Sequence, residues 1–193
     1  RPRAAAFACY TGRMTGHTLD ERPSLVSRIN ERATAPHAAL RYEGTSPFGP
    51  REVARYHMAN GLKILLLRDS SAPVASFHTW FGVGSRHEQP GKTGLAHLFE
   101  HLMFNETEGL PPGQFDRMLE AAGGEVNAAT WVDFTYYYEN VPSSELALVA
   151  RLEALRMSKL VLRDPQVKSE KDVVANERRY RVEDDVEGSV NEV

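Results

Sequence analysis

The chain has 193 residues, enough for one domain with its own core, and its 41% hydrophobic, 9% aromatic and 25% charged residues are the proportions of an ordinary globular protein. Lys and Arg number 23 against 26 Asp and Glu, a net charge of -3, which leaves no basic excess to meet a nucleic-acid backbone. A single cysteine excludes an internal disulfide and a thiolate metal cage, and no apolar run reaches membrane-spanning length.

The sequence opens on Arg1 and ends in the acidic "RVEDDVEGSVNEV" with no closing element, so it reads as a piece of a longer protein. Residues 1–19 carry three arginines and no acid, a composition compatible with the remnant of a targeting segment, although no apolar secretory core is present. Residues 1–50 hold five of the eleven prolines and little periodicity, and are expected to form an irregular arm or linker ahead of a domain over 51–193. "GLKILLLRD" (61–69) and "VASFHTWFGVGS" (74–85) predict two strands of a hairpin, and "GSRHEQPGKTG" (84–94) a loop feeding a helix. "GQFDRMLEAAGG" predicts a short helix closed by Gly123 and Gly124, followed by strands over "EVNAAT" and "DFTYYYENV". A helix with Ser143 as N-cap then runs to Asp164-Pro165, where Asp164 caps a last helix reaching about Val182. Strands and helices intermix without regular strand-helix-strand alternation, which predicts an α+β fold.

The helix opening at Leu95 contains "GLAHLFEHLMF". At 3.6 residues per turn His97, Glu100 and His101 share an arc of about 100°, while Leu98, Phe99, Leu102 and Met103 fill the other directions, so this helix is expected to be buried. Polar groups facing a core must be hydrogen-bonded, paired or bound to metal. Two histidines four apart can aim ring nitrogens at one ion, and the intervening glutamate can reach a water on it; zinc suits that chemistry. The alternative is a pair of core histidines satisfied by carbonyls, with Glu100 paired to an arginine. His-x-x-Glu-His arises by chance in roughly two shuffled chains per hundred, so the motif does not decide alone.

A catalytic zinc generally takes three protein ligands. In the last helix Glu170 and Glu177 lie seven residues apart, about 20° around the axis, with Val173 and Val174 beside them. That face carries two carboxylates, available to a cation or, alternatively, to a base such as Arg86.

These residues together resemble the pitrilysin-type metallopeptidases, a family that includes insulin-degrading enzyme and the mitochondrial processing peptidase. "GVGSRHEQPGKTGLAHLFEHLMF" is similar to the family's loop and zinc helix, the "NE" ending in Glu177 to its downstream ligand, and "GGEVNAATWVDFTYYY" to its substrate strand and the strand after it. The resemblance covers roughly residues 52–183. It implies a mixed, largely antiparallel sheet covered by helices, the family's N-terminal peptidase half-domain, incomplete at its C-terminal end. It implies Zn²⁺ held by His97, His101 and Glu177, Glu100 as general base, and Glu170 as an acid that orients a ligating histidine. It implies that Asn127, Ala128 and Thr130 border the strand on which an extended peptide or unfolded polypeptide docks. The remainder of the family's fold, including an Arg and Tyr that hold substrate, would come from a missing C-terminal half or a second subunit; the alternative is a non-catalytic, partner-binding subunit of the same fold. The implied compartment is the periplasm or cell envelope for a bacterial member and the mitochondrion for a eukaryotic one.

Overall fold

The computed structural model describes residues 4–10, as backbone, and residues 22–184. Most of the arginine-bearing stretch 1–19, and the acidic tail beyond Asp184, lie outside the described residues.

The elements in chain order are β1 (Ala4–Tyr10), α1 (Arg22–Glu31), β2 (Leu40–Phe48), β3 (Arg51–Met58), β4 (Lys63–Arg68), β5 (Val74–Phe81), α2 (Leu95–Leu102), α3 (Gln114–Ala121), β6 (Glu125–Thr130), β7 (Thr135–Pro142), α4 (Leu146–Lys159) and α5 (Asp164–Arg178). The strands form one sheet in the order β2-β3-β4-β1-β5-β7-β6. β1 and β4 are parallel, and every other neighbouring pair is antiparallel. The α+β class and the mixed, largely antiparallel sheet are thus as expected. Among the described residues no helix is long and apolar enough to cross a membrane.

Several local expectations give way to the structure. The described part of the stretch before residue 50 is not irregular: β1, α1 and β2 lie in it. Three of its five prolines sit where little is asked of their nitrogens, Pro23 in the first turn of α1, Pro36 opening a 3-10 turn and Pro47 on the outermost strand. β4 and β5 do not form a hairpin, because β1 lies between them. Local alternation identifies strands but carries no information on a partner arriving from far upstream. Ser143 begins a 3-10 turn rather than capping a helix, and its N–H donates to the Pro73 carbonyl (3.0 Å). Asp164 is the first residue of α5, not its cap; Arg163 holds the cap position, its N–H bonded to Gln166 Oε1 (3.0 Å). Beyond Arg178 the helix continues as a π-helical turn over Arg179–Glu183.

The core lies between the sheet and the helices on one of its faces, where Ala75 of β5 and Val141 of β7 pack against Phe115 and Leu119 of α3 and Val149 and Leu152 of α4. The opposite face carries an aromatic stack of His78, Trp80, Tyr136 and Tyr138, with Trp80 and Tyr136 centroids 4.7 Å apart.

Within the core sits one buried cation. The Arg156 guanidinium lies 4.2 Å from the Tyr137 ring centroid and 4.7 Å from that of Phe115. Its Nη2 is bonded to Glu139 Oε1 (3.0 Å) and to Glu153, whose other oxygen accepts from the Thr79 hydroxyl (2.5 Å). Two carboxyls thus share one guanidinium out of reach of water. Burial first, and the Glu153 charge second, push the Glu139 carboxyl up to about 9.

The folded chain therefore keeps a proton on Glu139 that the unfolded chain releases above the ordinary carboxylate value of 4.5, and this contribution to stability declines as pH rises from 4.5 toward about 9. Glu139→Gln keeps an acceptor for Arg156 and removes the titration. Between about pH 5 and about pH 8 the parent is expected to lose about 1–3 kcal/mol more stability than the variant in denaturant melts. Equal losses in both proteins would contradict a protonated Glu139.

Candidate metal centre

α2 begins after Gly94, whose φ of 84° turns the chain into the helix. The four-residue spacing then sets His97 and His101 on one face, with Nε2 atoms 3.2 Å apart and ring planes 83° from one another. α5 lies against α2 and brings in Glu177, whose Oε2 is 3.5 Å from His97 Nε2 and 3.2 Å from His101 Nε2. Among the described residues, this is the group of His, Cys, Asp or Glu side chains close enough to hold one ion.

Two imidazole nitrogens and a carboxylate oxygen at these separations can direct electron pairs toward a common point, where a bound cation would satisfy all three. Around a tetrahedral zinc with bonds of about 2.0–2.1 Å, ligand atoms are about 3.3–3.4 Å apart, so the three donors fit one face of such a site. Their chemistry fits as well, since neutral imidazole and carboxylate suit zinc.

The surroundings fix the donors. Glu170 Oε2 lies 3.5 Å from His101 Nδ1, and Glu170 Oε1 accepts from Asn105 Nδ2 (3.0 Å). Arg181 pairs with Glu177 Oε1 (2.9 Å), leaving Oε2 toward the imidazoles. Arg86, considered above as a partner for this acidic face, pairs instead with Asp133 (2.6 Å). Glu100 accepts a hydrogen bond from the Thr130 hydroxyl on β6, and Thr130 in turn lies 3.2 Å from Thr135 Oγ1.

β6 ends the sheet. The Trp131 N–H donates to the Phe134 carbonyl (2.8 Å), and the antiparallel alternation from that pair turns the backbone groups of Ala128 and Thr130 to the open edge. There the Ala128 N–H is occupied by Asn127 Oδ1 (2.8 Å). One open cleft of about 730 Å³ is lined by His97, Glu100, His101, Glu170, Glu177, Asn127, Ala128 and Thr130. The eight residues to which the resemblance gives site roles therefore line one cleft.

Two expectations about the helices need correction. α2 is not buried all round, since Leu95 and Phe99 are 43% and 45% exposed. They border a second, apolar cavity of about 590 Å³ on the other side of the helix. Val173 is exposed, and the inward face of α5 runs instead through Glu170, Val174 and Glu177. Sequence reasoning missed Asn105 and Arg181. Arg181 carries a readable signal, because it stands four residues after Glu177 on the same helical stretch; Asn105 carries none, because its partner is remote in sequence.

Residues 63–192 match the family described as Insulinase (Peptidase family M16). The chain belongs to this family. Zinc protease PqqE of Helicobacter pylori is 35% identical over 127 residues, covering 65% of this chain and 29% of that protein. The crystal structure of a protease from Helicobacter pylori aligns with a TM-score of 0.71 at 33% identity, over 72% of this chain and 34% of that one. Cytochrome b-c1 complex subunit 1, mitochondrial, of Rattus norvegicus is 31% identical over 118 residues, 61% of this chain and 24% of that protein. The chain thus spans between 24% and 34% of the length of these relatives.

An ion bound only by the folded chain stabilises it by mass action, about 2.7 kcal/mol at a hundredfold excess over its dissociation constant. Adding zinc to the metal-free full-length protein is expected to raise its melting temperature, and Glu177→Gln to abolish most of that rise. An unchanged rise in the variant would remove Glu177 from the centre.

Proposed function

We propose that this chain carries the metal centre of a zinc metalloendopeptidase that hydrolyses peptide bonds in unfolded peptides or polypeptides. The observation that carries the reading is one cleft holding the His97–His101–Glu177 donor triangle, the Glu100 carboxylate and the open edge of β6. Its assignment to M16 and the names of its zinc-protease relatives support it.

An extended peptide adds to β6 through the outward backbone groups of Ala128 and Thr130, once the Asn127 amide gives up the Ala128 N–H. A strand-like segment is required, which selects chains without fixed structure. When bound, zinc polarises the scissile carbonyl and makes water acidic enough to be deprotonated near neutral pH. Glu100 takes the proton of the attacking water and returns it to the departing amine. Thr130 engages Glu100 Oε2, which leaves Oε1 for that proton. Glu170 Oε2, 3.5 Å from His101 Nδ1, favours the proton on that nitrogen and so leaves Nε2 as the donor atom. Further substrate-holding groups come from the rest of the full-length protein or from a second subunit of the family.

The likeness to a cytochrome b-c1 subunit favours a second reading, a non-catalytic subunit that binds a partner through the same fold. Such a role has no use for three donors at tetrahedral separations beside a carboxylate base, so the peptidase reading stands first.

In the full-length protein Glu100→Gln is expected to retain zinc, measured by elemental analysis, while peptide cleavage falls by about 10²–10⁴-fold. Cleavage at the parental rate would refute the role given to Glu100.

A further inference from the structure

The loop between β5 and α2 touches both walls of the cleft. The Ser85 N–H donates to the Trp131 carbonyl (3.0 Å) and the Arg86 N–H to the Val132 carbonyl (3.1 Å), while Arg86 Nε meets the Asp133 carboxylate at 2.6 Å. These partners form the β6–β7 turn directly after Thr130. The approach is so close that a Cβ on Gly84 would stand 2.1 Å from the Trp131 oxygen and 2.6 Å from that of Val132. Gly84 has ordinary extended backbone, so what its position demands is space.

Glu88, in the same loop, grips the start of α2. Its Oε2 accepts from the Gly94 N–H (2.8 Å) and its Oε1 from the Ala96 N–H (2.7 Å). α2 has no capping side chain at its own N-cap, which is Gly94, so Glu88 supplies the acceptor that the first backbone N–H groups need. Its negative charge also suits the positive end of the helix. The residue after Ala96 is His97. One loop thus fixes the turn beside Thr130 and the first turn of the helix bearing His97, Glu100 and His101.

We infer that Glu88 is a positioning residue that sets the rotation and height of α2 against β6, and through them the aim of the two imidazoles and of Glu100. The catalytic consequence rests on the function proposed above; the hold on α2 does not, and the two are separable by experiment. In the full-length protein Glu88→Ala is expected to speed amide hydrogen exchange in α2 about tenfold with α4 unchanged. It is expected to lower kcat about tenfold with KM within about twofold, because β6 still docks the peptide. Glu88→Gln keeps one acceptor oxygen and recovers part of both effects. If Glu88→Ala does not fold, Glu88→Gln decides alone, with faster exchange confined to α2. Parental exchange in α2, equal acceleration in α4, or a Gln variant no better than Ala would overturn the inference. A parent protein without zinc or cleavage, but with the α2 exchange response, would refute the peptidase reading and leave the positioning role in place.

Discussion

Three electron-pair donors converge from two helices, and the placement of those helices is what the rest of the structure has to secure. His97 and His101 are kept together by helical spacing, whereas Glu177 depends on α5 lying against α2. α5 has no fully buried side chain, so hydrophobic packing does little to place it. Polar contacts to the segment after α2 do so instead. Glu106 binds Arg163 Nε and Nη2 (3.2 and 2.8 Å) and Gln166 Nε2 (2.7 Å), and Asn105 holds Glu170. The Arg163 hydrogen bond, foremost, holds the Glu106 carboxyl below the usual carboxylate range. Backbone bonds add to this: Val161 N–H to the Glu106 carbonyl (2.8 Å) and Glu108 N–H to the Lys159 carbonyl (2.9 Å). The donor triangle is therefore assembled by a polar seam between the exit of α2 and the entry of α5.

The sheet contributes a rigid wall and a free edge. β5 and β7 are anchored from behind by the Arg156 cluster and the core around Leu119 and Val149. β6, paired only with β7, keeps one row of backbone groups unpaired in the sheet. An exposed edge invites unwanted strand pairing, and its persistence beside Glu100 and the donor triangle is understandable if that edge serves a docking peptide. Thr130 joins the two parts, bordering the open edge with its backbone and holding Glu100 with its hydroxyl.

Short-range periodicity made the imidazole pair legible, since two residues four apart on a helix must share a face. The seven-residue spacing did the same for Glu170 and Glu177, although the valine thought to mark their face, Val173, points outward. Resemblance to a family, rather than periodicity, chose Glu177 over Glu170 as the third ligand and singled out β6. What stayed hidden depends on contacts remote in sequence. β1 inserting between β4 and β5 leaves no local trace, nor does Asn105 reaching Glu170. Glu88 caps α2 from outside the usual cap spacing, so the rule that finds capping residues passes over it. The Glu139–Arg156–Glu153 cluster is equally silent, because charged residues on amphipathic segments are ordinarily assigned to solvent.

The central claim is that one zinc ion sits at the meeting point of His97, His101 and Glu177. X-ray diffraction at the zinc absorption edge from crystals of the zinc-loaded full-length protein tests it most directly. The account predicts one anomalous peak in the cleft, about 2.0–2.2 Å from His97 Nε2, His101 Nε2 and Glu177 Oε2. A peak coordinated elsewhere, or none with the three side chains parted, would contradict it.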